Sequence, residues 1–310
     1  MSTPLSGVQV ELRSGRYRAS IAGVGATVRV LQYDGVDVIV PFAAGEVRPA
    51  MRGALLAPWP NRIADGEYAF EGDVYRLVQN EPETRTAAHG LVAWTDFAVV
   101  DSAVDRAVLS AVVAPQPGYP WRVRIDVEFR LGPDGLAQEV TATNESGTAA
   151  PVGLGGHPYL TAGTAGARSI DALTFELDAA RVLLVTEDRM LPDRLVALGD
   201  DAGDRDFRRP RRIGDAVVNN SFTDLALRDG RARARLADDD GRGAEVEWDA
   251  RCPWVQVYTA DHGVGADHRA GLAVEPTTCP PDAFRSGQDL LVVPPGGSTG
   301  AGWVIRSVGR

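Results

Sequence analysis

The sequence contains little cysteine and no long apolar run. Two cysteines, Cys252 and Cys279, occur in 310 residues, too few for a disulfide scaffold or for a structural zinc site made of thiolates. No apolar run approaches the about 18 residues that a membrane-spanning helix requires, and the first 15 residues lack the apolar segment of a secretory signal. We therefore expect a cytoplasmic protein with reduced cysteines and no membrane partner.

Basic residues are outnumbered by acidic ones. The chain has 32 Lys+Arg against 42 Asp+Glu, a formal net charge of −10, whereas proteins that track phosphates are normally basic over the binding face. We therefore expect no nucleic-acid partner. The one strongly basic run, Arg208–Arg212, is interpreted as a solvated loop, since charge runs usually lie on exposed surfaces; an anion or phosphosugar patch is the alternative.

Three common catalytic motifs are missing. Gly23-Val24-Gly25 lacks the third glycine and the following helix of a dinucleotide site, and Gly153–Gly156 lacks the lysine of a phosphate-binding loop. No G-x-S-x-G elbow is present, which argues against one large class of hydrolases.

Short stretches with a period of two are abundant. From Trp121 to Leu131 apolar and charged residues alternate, as in a strand with one buried face. A Gly-Pro-Asp-Gly turn then leads into Leu136–Thr143, which predicts a hairpin. The same pattern predicts further strands over Val8–Leu12, Tyr17–Ile21, Val28–Tyr33, Val36–Val40, Ala244–Trp248, Trp254–Thr259 and Gly271–Val274. With no amphipathic helix of three turns and no linker, these strands predict one large β domain over residues 1–310, a sandwich or a barrel.

Histidine is scarce, and His89 and His157 each stand directly next to a glycine. His157 lies in Gly155–Tyr159 and His89 in Ala87–Leu91, where glycine lets backbone or ligand approach closely. Each histidine is either functional or a satisfied turn residue. The other two, His262 and His268, flank aspartates in a Gly-rich loop, but their spacing matches no common zinc pattern, so no metal is expected.

A carboxylate and a guanidinium stand out in the same way. Glu275 directly follows the apolar run Gly271–Val274. Burying a carboxylate at the end of such a strand costs free energy, so the residue is expected to have either a charged partner or a functional role. Arg62 follows Asn61, and this pair of side chains suits sugar hydroxyls or a carboxylate. The alternative for Glu275 is a salt bridge at the end of a strand, and the alternative for Arg62 is a purely structural role in a turn.

As a set, these residues resemble the aldose 1-epimerase (galactose mutarotase) family. Five short stretches match in the family's order along most of the chain: Pro58–Ile63 with Gly66–Phe70, His89-Gly90, Gly155–Leu160, Trp254–Thr259, and Val274–Pro276 with Ala283-Phe284 and Pro295-Gly296. Each stretch is weak alone, and the ordered set is a strong signal.

The resemblance implies an all-β, single-domain β-supersandwich of large twisted antiparallel sheets. It implies an enzyme, monomer or homodimer, that interconverts the α and β anomers of a free aldose with no metal or organic cofactor. In the family's pattern Glu275 falls on the general base and His157 on the general acid, and an ordinary histidine pKa near 6.5 would keep enough imidazolium at neutral pH. Four further residues fall on sugar-binding positions: Asn61, Arg62, His89 and Gln256.

One departure concerns sugar preference. The family's aspartate in an Asp-x-x-Phe stretch corresponds to Asn219 in Asn219–Phe222, and an amide carries no charge. Asp224 is near in sequence but should point elsewhere if Phe222 is in register. His89–Leu91 with Trp94 resembles a divergent bacterial branch linked to sulfonated sugars such as sulfoquinovose, for which Arg208–Arg212 would meet the anionic substituent.

Other functions compete with the mutarotase. A non-catalytic carbohydrate-binding protein of the same fold would bind sugar without needing a general base. An epimerase for hexose 6-phosphates would use the arginine run as its phosphate site. A glycoside hydrolase needs two carboxylates, and only Glu275 stands in a position that the family supports.

Overall fold

The computed structural model describes residues 3–199 and 203–309. Over these residues nearly all of the regular secondary structure is β-strand, and no helix in them is long and apolar enough to cross a membrane. The first fourteen strands are β1 Gln9–Ser14, β2 Tyr17–Ala22, β3 Thr27–Tyr33, β4 Val36–Asp37, β5 Leu55–Leu56, β6 Arg62–Ala64, β7 Glu67–Phe70, β8 Asp73–Arg76, β9 Thr86–Ala88, β10 Ala98–Ser102, β11 Arg106–Val113, β12 Val123–Gly132, β13 Gly135–Asn144 and β14 Ala150–Val152.

The remaining strands lie in the second half of the chain. They are β15 Gly155–Gly156, β16 Tyr159–Leu160, β17 Thr174–Leu177, β18 Ala179–Val185, β19 Pro192–Ala197, β20 Arg211–Arg212, β21 Asn219–Leu225, β22 Arg231–Ala237, β23 Gly243–Asp249, β24 Trp254–Tyr258, β25 Leu272–Thr277, β26 Leu291–Val293 and β27 Ser298–Val308. Single helical turns occur at Pro49–Met51, Ser169–Ala172, Gly203–Arg205, Gly265–Asp267 and α1 Ala283–Ser286.

Two large antiparallel sheets dominate. One runs in the order β10-β11-β12-β13-β27-β23-β22-β17-β20, and the other in the order β19-β18-β21-β24-β25-β15-β5, with β16 also paired to β25. A smaller sheet, β1-β2-β3-β4, comes from the N-terminal region. These sheets confirm the predicted all-β class with large antiparallel sheets.

The predicted hairpin lies within the first large sheet. Strands β12 and β13 pair from Val123–Asn144 to Gly132–Gly135, and buried residues alternate with more exposed ones along β12. Other predicted strands also occur, with shifted ends. Strand β4 stops at Asp37, short of Val40, and β25 continues through Glu275 to Thr277. Glu275 therefore lies inside its strand and not at the end.

One hydrophobic cluster contains side chains from both large sheets. Phe129 of β12 and Phe222 of β21 both belong to it and are buried. In the second large sheet Phe222, Val255 and Val274 belong to this core. Since successive side chains on a strand point to opposite faces, their polar neighbours point away from it. Burying each such valine contributes about 1.5–3 kcal/mol, which pins the strand register and hence the polar face.

Candidate active site

A cleft of about 270 Å³ lies on the polar face of the second large sheet. All seven site residues predicted from the sequence line it: Asn61, Arg62, His89, His157, Asn219, Gln256 and Glu275. It is an open, concave site, the shape in which proteins bind small molecules.

Strand register places four of the polar residues side by side. Gln256 of β24 is directly opposite Glu275 of β25, and Ser221 of β21 is opposite Gln256. Directly opposite side chains share a face, as do residues two apart on one strand, which adds Asn219. A one-residue slip of any one of these strands would send its own polar residues into the core.

Glu275 and His157 form a buried pair at the base of the cleft. His157 Nε2 lies 3.3 Å from Glu275 Oε1, and their side chains are only 6% and 3% exposed. The His157 ring stacks on Tyr159, with centroids 5.2 Å apart, and meets the His89 ring edge-on at 5.5 Å. The Nδ1 atoms of both histidines are buried and have no hydrogen-bond partner among the described residues.

The two glycines before His157 have a packing requirement. A Cβ added to Gly156 would lie 2.3 Å from the buried ring of Trp303, so only glycine lets the backbone rest on that ring. The His157 amide then donates to the Ala54 carbonyl at 3.0 Å, and its carbonyl accepts from the Gly53 amide at 2.9 Å. These contacts hold the imidazole over the sheet.

His89 is held by an unusual backbone. It has φ 63° and Gly90 has φ 75°, and a Cβ on Gly90 would come within 2.0 Å of the Ala57 carbonyl oxygen. The His89 amide donates to the Asn61 carbonyl at 2.9 Å. Asn61 is itself left-handed, as are the cleft residues Ala50, Met51 and Met190. Such a concentration of left-handed residues is typical of functional sites.

Arg62 is clamped by a carboxylate that the sequence did not reveal. Its Nε donates to Glu81 Oε2 at 2.6 Å and its Nη2 donates to Glu81 Oε1 at 3.2 Å. The Thr86 hydroxyl donates to the same carboxylate at 3.1 Å. The nearest sequence signal is the Asn-Glu-Pro turn at 80–82, which does not specify a partner on β6.

Asn219 is joined to Gln256 and Ser221 in a hydrogen-bonded chain. Gln256 Nε2 donates to Asn219 Oδ1 at 2.6 Å, and the Ser221 hydroxyl donates to Gln256 Oε1 at 2.5 Å. Asp224 pairs with Arg181 at 2.5 Å and is half exposed outside the cleft. The expectation that Asp224 points elsewhere is thus confirmed, and the cleft presents an uncharged amide at this position.

Burial controls the proton affinities of the pair. Burial raises the pKa of Glu275 to about 8, opposed by the positive charge of Arg62. Burial also lowers the pKa of His157 well below 6.5, and it lowers that of His89 to about 3, in both cases helped by Arg48 and Arg62. The expected ordinary histidine pKa is therefore wrong for His157, because the sheet and loops remove it from water.

Several lining residues had no predicted role. They are Ala50, Met51, Glu81, Tyr159, Met190, Tyr258 and His262. Tyr258 was detectable in principle, since it lies two positions after Gln256 and so shares its face. The loop residues Met51 and Met190 carry no periodic signal.

The basic run lies away from the cleft. None of Arg208–Arg212 lines it, and Arg208, Arg211 and Arg212 pair with Asp206, Asp204 and Asp239. The loop interpretation is wrong for Arg211 and Arg212, which form β20 at the edge of the first large sheet. A charged edge strand discourages pairing with another chain, and the expectation that this run meets an anionic substituent finds no support in its position.

His262 and His268 are also accounted for. The His262 ring stacks on Tyr258, with centroids 6.2 Å apart, and His268 Nδ1 lies 3.0 Å from the Asp261 carbonyl oxygen. Within residues 3–199 and 203–309 no group of three or more His, Cys, Asp or Glu side chains could hold a metal ion.

Comparison with known proteins gives concordant results. The chain matches the family described as aldose 1-epimerase over residues 8–306. It is 34% identical over 300 residues to the uncharacterized protein YihR of Escherichia coli K12, covering 94% of this chain and 90% of that protein. It is 25% identical to the galactose mutarotase of Bos taurus, covering 89% and 86%. The fold matches a GalM/aldose epimerase homologue from C. elegans with a TM-score of 0.84 at 19% identity, over 97% of this chain and 98% of that one.

Proposed function

The chain belongs to the aldose 1-epimerase family, and from that premise we propose that it is a mutarotase that opens and recloses the ring of a free aldose. Family membership supports an epimerase-type enzyme acting on a sugar. The observation that carries the finer proposal is the buried Glu275–His157 pair, 3.3 Å apart at the base of an open cleft. We further propose that residues 1–310 act as one domain, since one core joins both large sheets.

The reaction needs two proton transfers at neighbouring atoms. Ring opening removes the proton of the C1 hydroxyl and delivers a proton to the ring oxygen. Both oxygens are bonded to the same carbon, so the base and the acid must lie next to each other, as Glu275 and His157 do. In the proposal Glu275 takes the hydroxyl proton and His157 protonates the ring oxygen. Rotation about C1–C2 and reversal of both transfers yield the other anomer.

The pair enters the reaction with one proton between its two members. Because burial raises the pKa of Glu275 and lowers that of His157, the two groups titrate as a coupled pair. Neither a doubly protonated nor a fully deprotonated pair can both accept and donate a proton. The catalytic form is the singly protonated pair. Its proton lies on His157 when Glu275 accepts the proton of the C1 hydroxyl.

Polar residues around the pair are proposed to orient the sugar. Asn61 lies just before β6 and Arg62 begins that strand, and Gln256 and Asn219 project from the sheet. Together they offer donors and acceptors that converge on a ring lying over Glu275. His89, adjacent to His157, would contact the substrate near C1 and the ring oxygen, where developing charge is largest.

The pH dependence of kcat/KM should follow the pair. The catalytic proton is lost as the pH rises through the Glu275 pKa of about 8, so kcat/KM should be flat from about pH 6 to about pH 7.5 and fall about tenfold per pH unit well above pH 8. Groups titrating at their ordinary values would instead give a maximum near about pH 5.5. Anomer exchange measured by NMR across this range, with the spontaneous rate subtracted, distinguishes the two profiles.

The proposal is tested by anomer exchange over a panel of aldoses. Saturation-transfer NMR on glucose, galactose, xylose and arabinose should show exchange above the spontaneous rate for at least one sugar. Binding detected by calorimetry without acceleration of any sugar would contradict the mutarotase and indicate a carbohydrate-binding protein. Inclusion of glucose 6-phosphate and sulfoquinovose tests the anionic alternatives.

A further inference from the structure

We propose that Glu81 is a specificity-determining residue: its bidentate ion pair with Arg62 orients the donors that Arg62 offers to the sugar and cancels the charge that would attract an acidic one. The inference rests on the proposed function, because it concerns the substrate of the same cleft. It assigns a role to a loop carboxylate that does not touch the Glu275–His157 pair.

The geometry of the clamp is specific. Two Arg62 nitrogens donate to the two oxygens of Glu81, the fork-to-fork arrangement that fixes a guanidinium in one plane. Arg62 and Glu81 are 13% and 29% exposed, so water screens the pair only in part. The donors of Arg62 that Glu81 does not use are left for a ligand.

The loop that carries Glu81 is built to hold it. Glu81 and Thr86 exchange two backbone hydrogen bonds, of 3.2 and 3.1 Å, and the hydroxyls of Thr84 and Thr86 both donate to Glu81 Oε2. Thr86 begins β9, which pairs with β6, the strand that begins at Arg62. The carboxylate therefore keeps a fixed position relative to the guanidinium even without a sugar.

The charge balance of the cleft follows from this pair. Every one of the 32 Lys+Arg residues is an arginine, and in the described part of the chain Arg62 alone among them lines the cleft. Nearby arginines are engaged elsewhere: Arg52 with Asp267, and Arg189 with Asp65. Arg48 is buried behind the wall of the cleft, with its donors on the Thr27 hydroxyl and the Ala93 carbonyl. A carboxylate, sulfonate or phosphate on the sugar would find Arg62 already neutralised and Glu81 repelling it.

Removing the charge of Glu81 should reverse this selection. Glu81→Gln keeps the length of the side chain and leaves Arg62 with an uncompensated charge. The relevant quantity is the ratio of kcat/KM for a uronate to kcat/KM for the corresponding neutral hexose. We expect this ratio to rise about tenfold in the variant. It is measured for two pairs: D-glucuronate with D-glucose, and D-galacturonate with D-galactose. The gain should lie in a lower KM for the uronate.

Matched variants separate a change in substrate specificity from a general loss of structure or activity. Glu67→Gln removes the acid of an exposed ion pair with Arg76 outside the cleft and should leave the ratio unchanged. In an Arg62→Gln background Glu81→Gln removes only the repulsion that Glu81 itself exerts. The ratio should therefore rise by less than in the wild-type background, where the released guanidinium can also donate to the uronate. Thr86→Val removes one hydrogen bond to Glu81 while keeping the side-chain shape. It should shift the ratio in the same direction by about twofold to threefold, and it serves if Glu81→Gln does not fold.

The outcomes are distinct. An unchanged ratio in folded Glu81→Gln, or in Thr86→Val, overturns the role of Glu81 even if the wild type is a mutarotase. If the wild type accelerates no sugar, the proposed function fails, and the ratio of the dissociation constants of uronate and neutral hexose, measured by calorimetry, decides the role of Glu81. Wild-type preference for a uronate over its neutral hexose also contradicts the inference.

Discussion

Replacing Glu275 by Gln should lower kcat for anomer exchange by about 10³-fold. General acid–base catalysis contributes about 10²–10⁴-fold, and glutamine has the same size but cannot accept the hydroxyl proton. Sugar affinity should change much less, because Gln256, Asn219 and Arg62 remain in the cleft. Saturation-transfer NMR gives the exchange rate, and calorimetry with the same sugar gives the affinity.

The same substitution should stabilise the protein at alkaline pH. The pKa of Glu275 is about 8 in the folded chain and about 4.3 when unfolded, so the folded state binds the proton more tightly. Its contribution is fully present below about pH 4.3 and is lost as the pH rises through 8. Glu275→Gln removes this loss, because the amide carries no charge at any of these pH values. The melting temperature of the variant should therefore exceed that of the wild type at pH 8, and the difference should shrink towards pH 5.

Glu245 provides a control for which the expected change in melting temperature has the opposite sign. It is also buried, but its carboxylate accepts from Arg306 Nε at 3.0 Å in the first large sheet. Glu245→Gln removes one partner of an ion pair and should lower the melting temperature, while anomer exchange stays at the wild-type rate. A Glu275→Gln variant that retained wild-type exchange would remove Glu275 from the mechanism.

The site could be predicted from the sequence where local pattern and chemistry coincide. Alternation along Trp254–Thr259 and the glycines before His157 placed Gln256 and His157 on structured, reachable backbone, and the cleft contains both. The partnership of Arg62 with Glu81 could not be predicted, because it depends on the pairing of β6 with β9 and on a turn between 80 and 86. A contact across 19 residues of loop and strand has no periodic signature.

The order of the strands within each sheet could not be predicted from the sequence either. Strand β27 inserts between β13 and β23, although nothing in Ser298–Val308 specifies those neighbours. The altered proton affinities follow from the same long-range packing. In the sequence His157 is an ordinary histidine in a glycine-rich turn, and only the sheet beneath it, with Tyr159 on one face, makes it a buried imidazole of lowered pKa.

Gly156→Ala should be among the most damaging single substitutions in the chain. The added Cβ would lie 2.3 and 2.7 Å from two atoms of the Trp303 ring, and that ring is 2% exposed and donates to Gln138 Oε1 at 3.2 Å. Neither side can yield easily, so overpacking should cost about 3 kcal/mol. Displacement of the adjacent His157 by about 1 Å would further lower kcat/KM by about 10²-fold. Thermal melting and NMR exchange measure the two effects.

Comparison with a second glycine isolates the clash with Trp303 from the general effect of replacing glycine. Gly132 ends β12 with no atom within 4 Å of its added Cβ and no positive φ, so Gly132→Ala should leave both stability and exchange unchanged. Trp303→Phe removes part of the ring against which Gly156 packs. Combined with Gly156→Ala, it should cost less than the sum of the single substitutions, because contacting residues are not additive. Additive losses would show that Gly156 acts through its backbone conformation and not through the tryptophan.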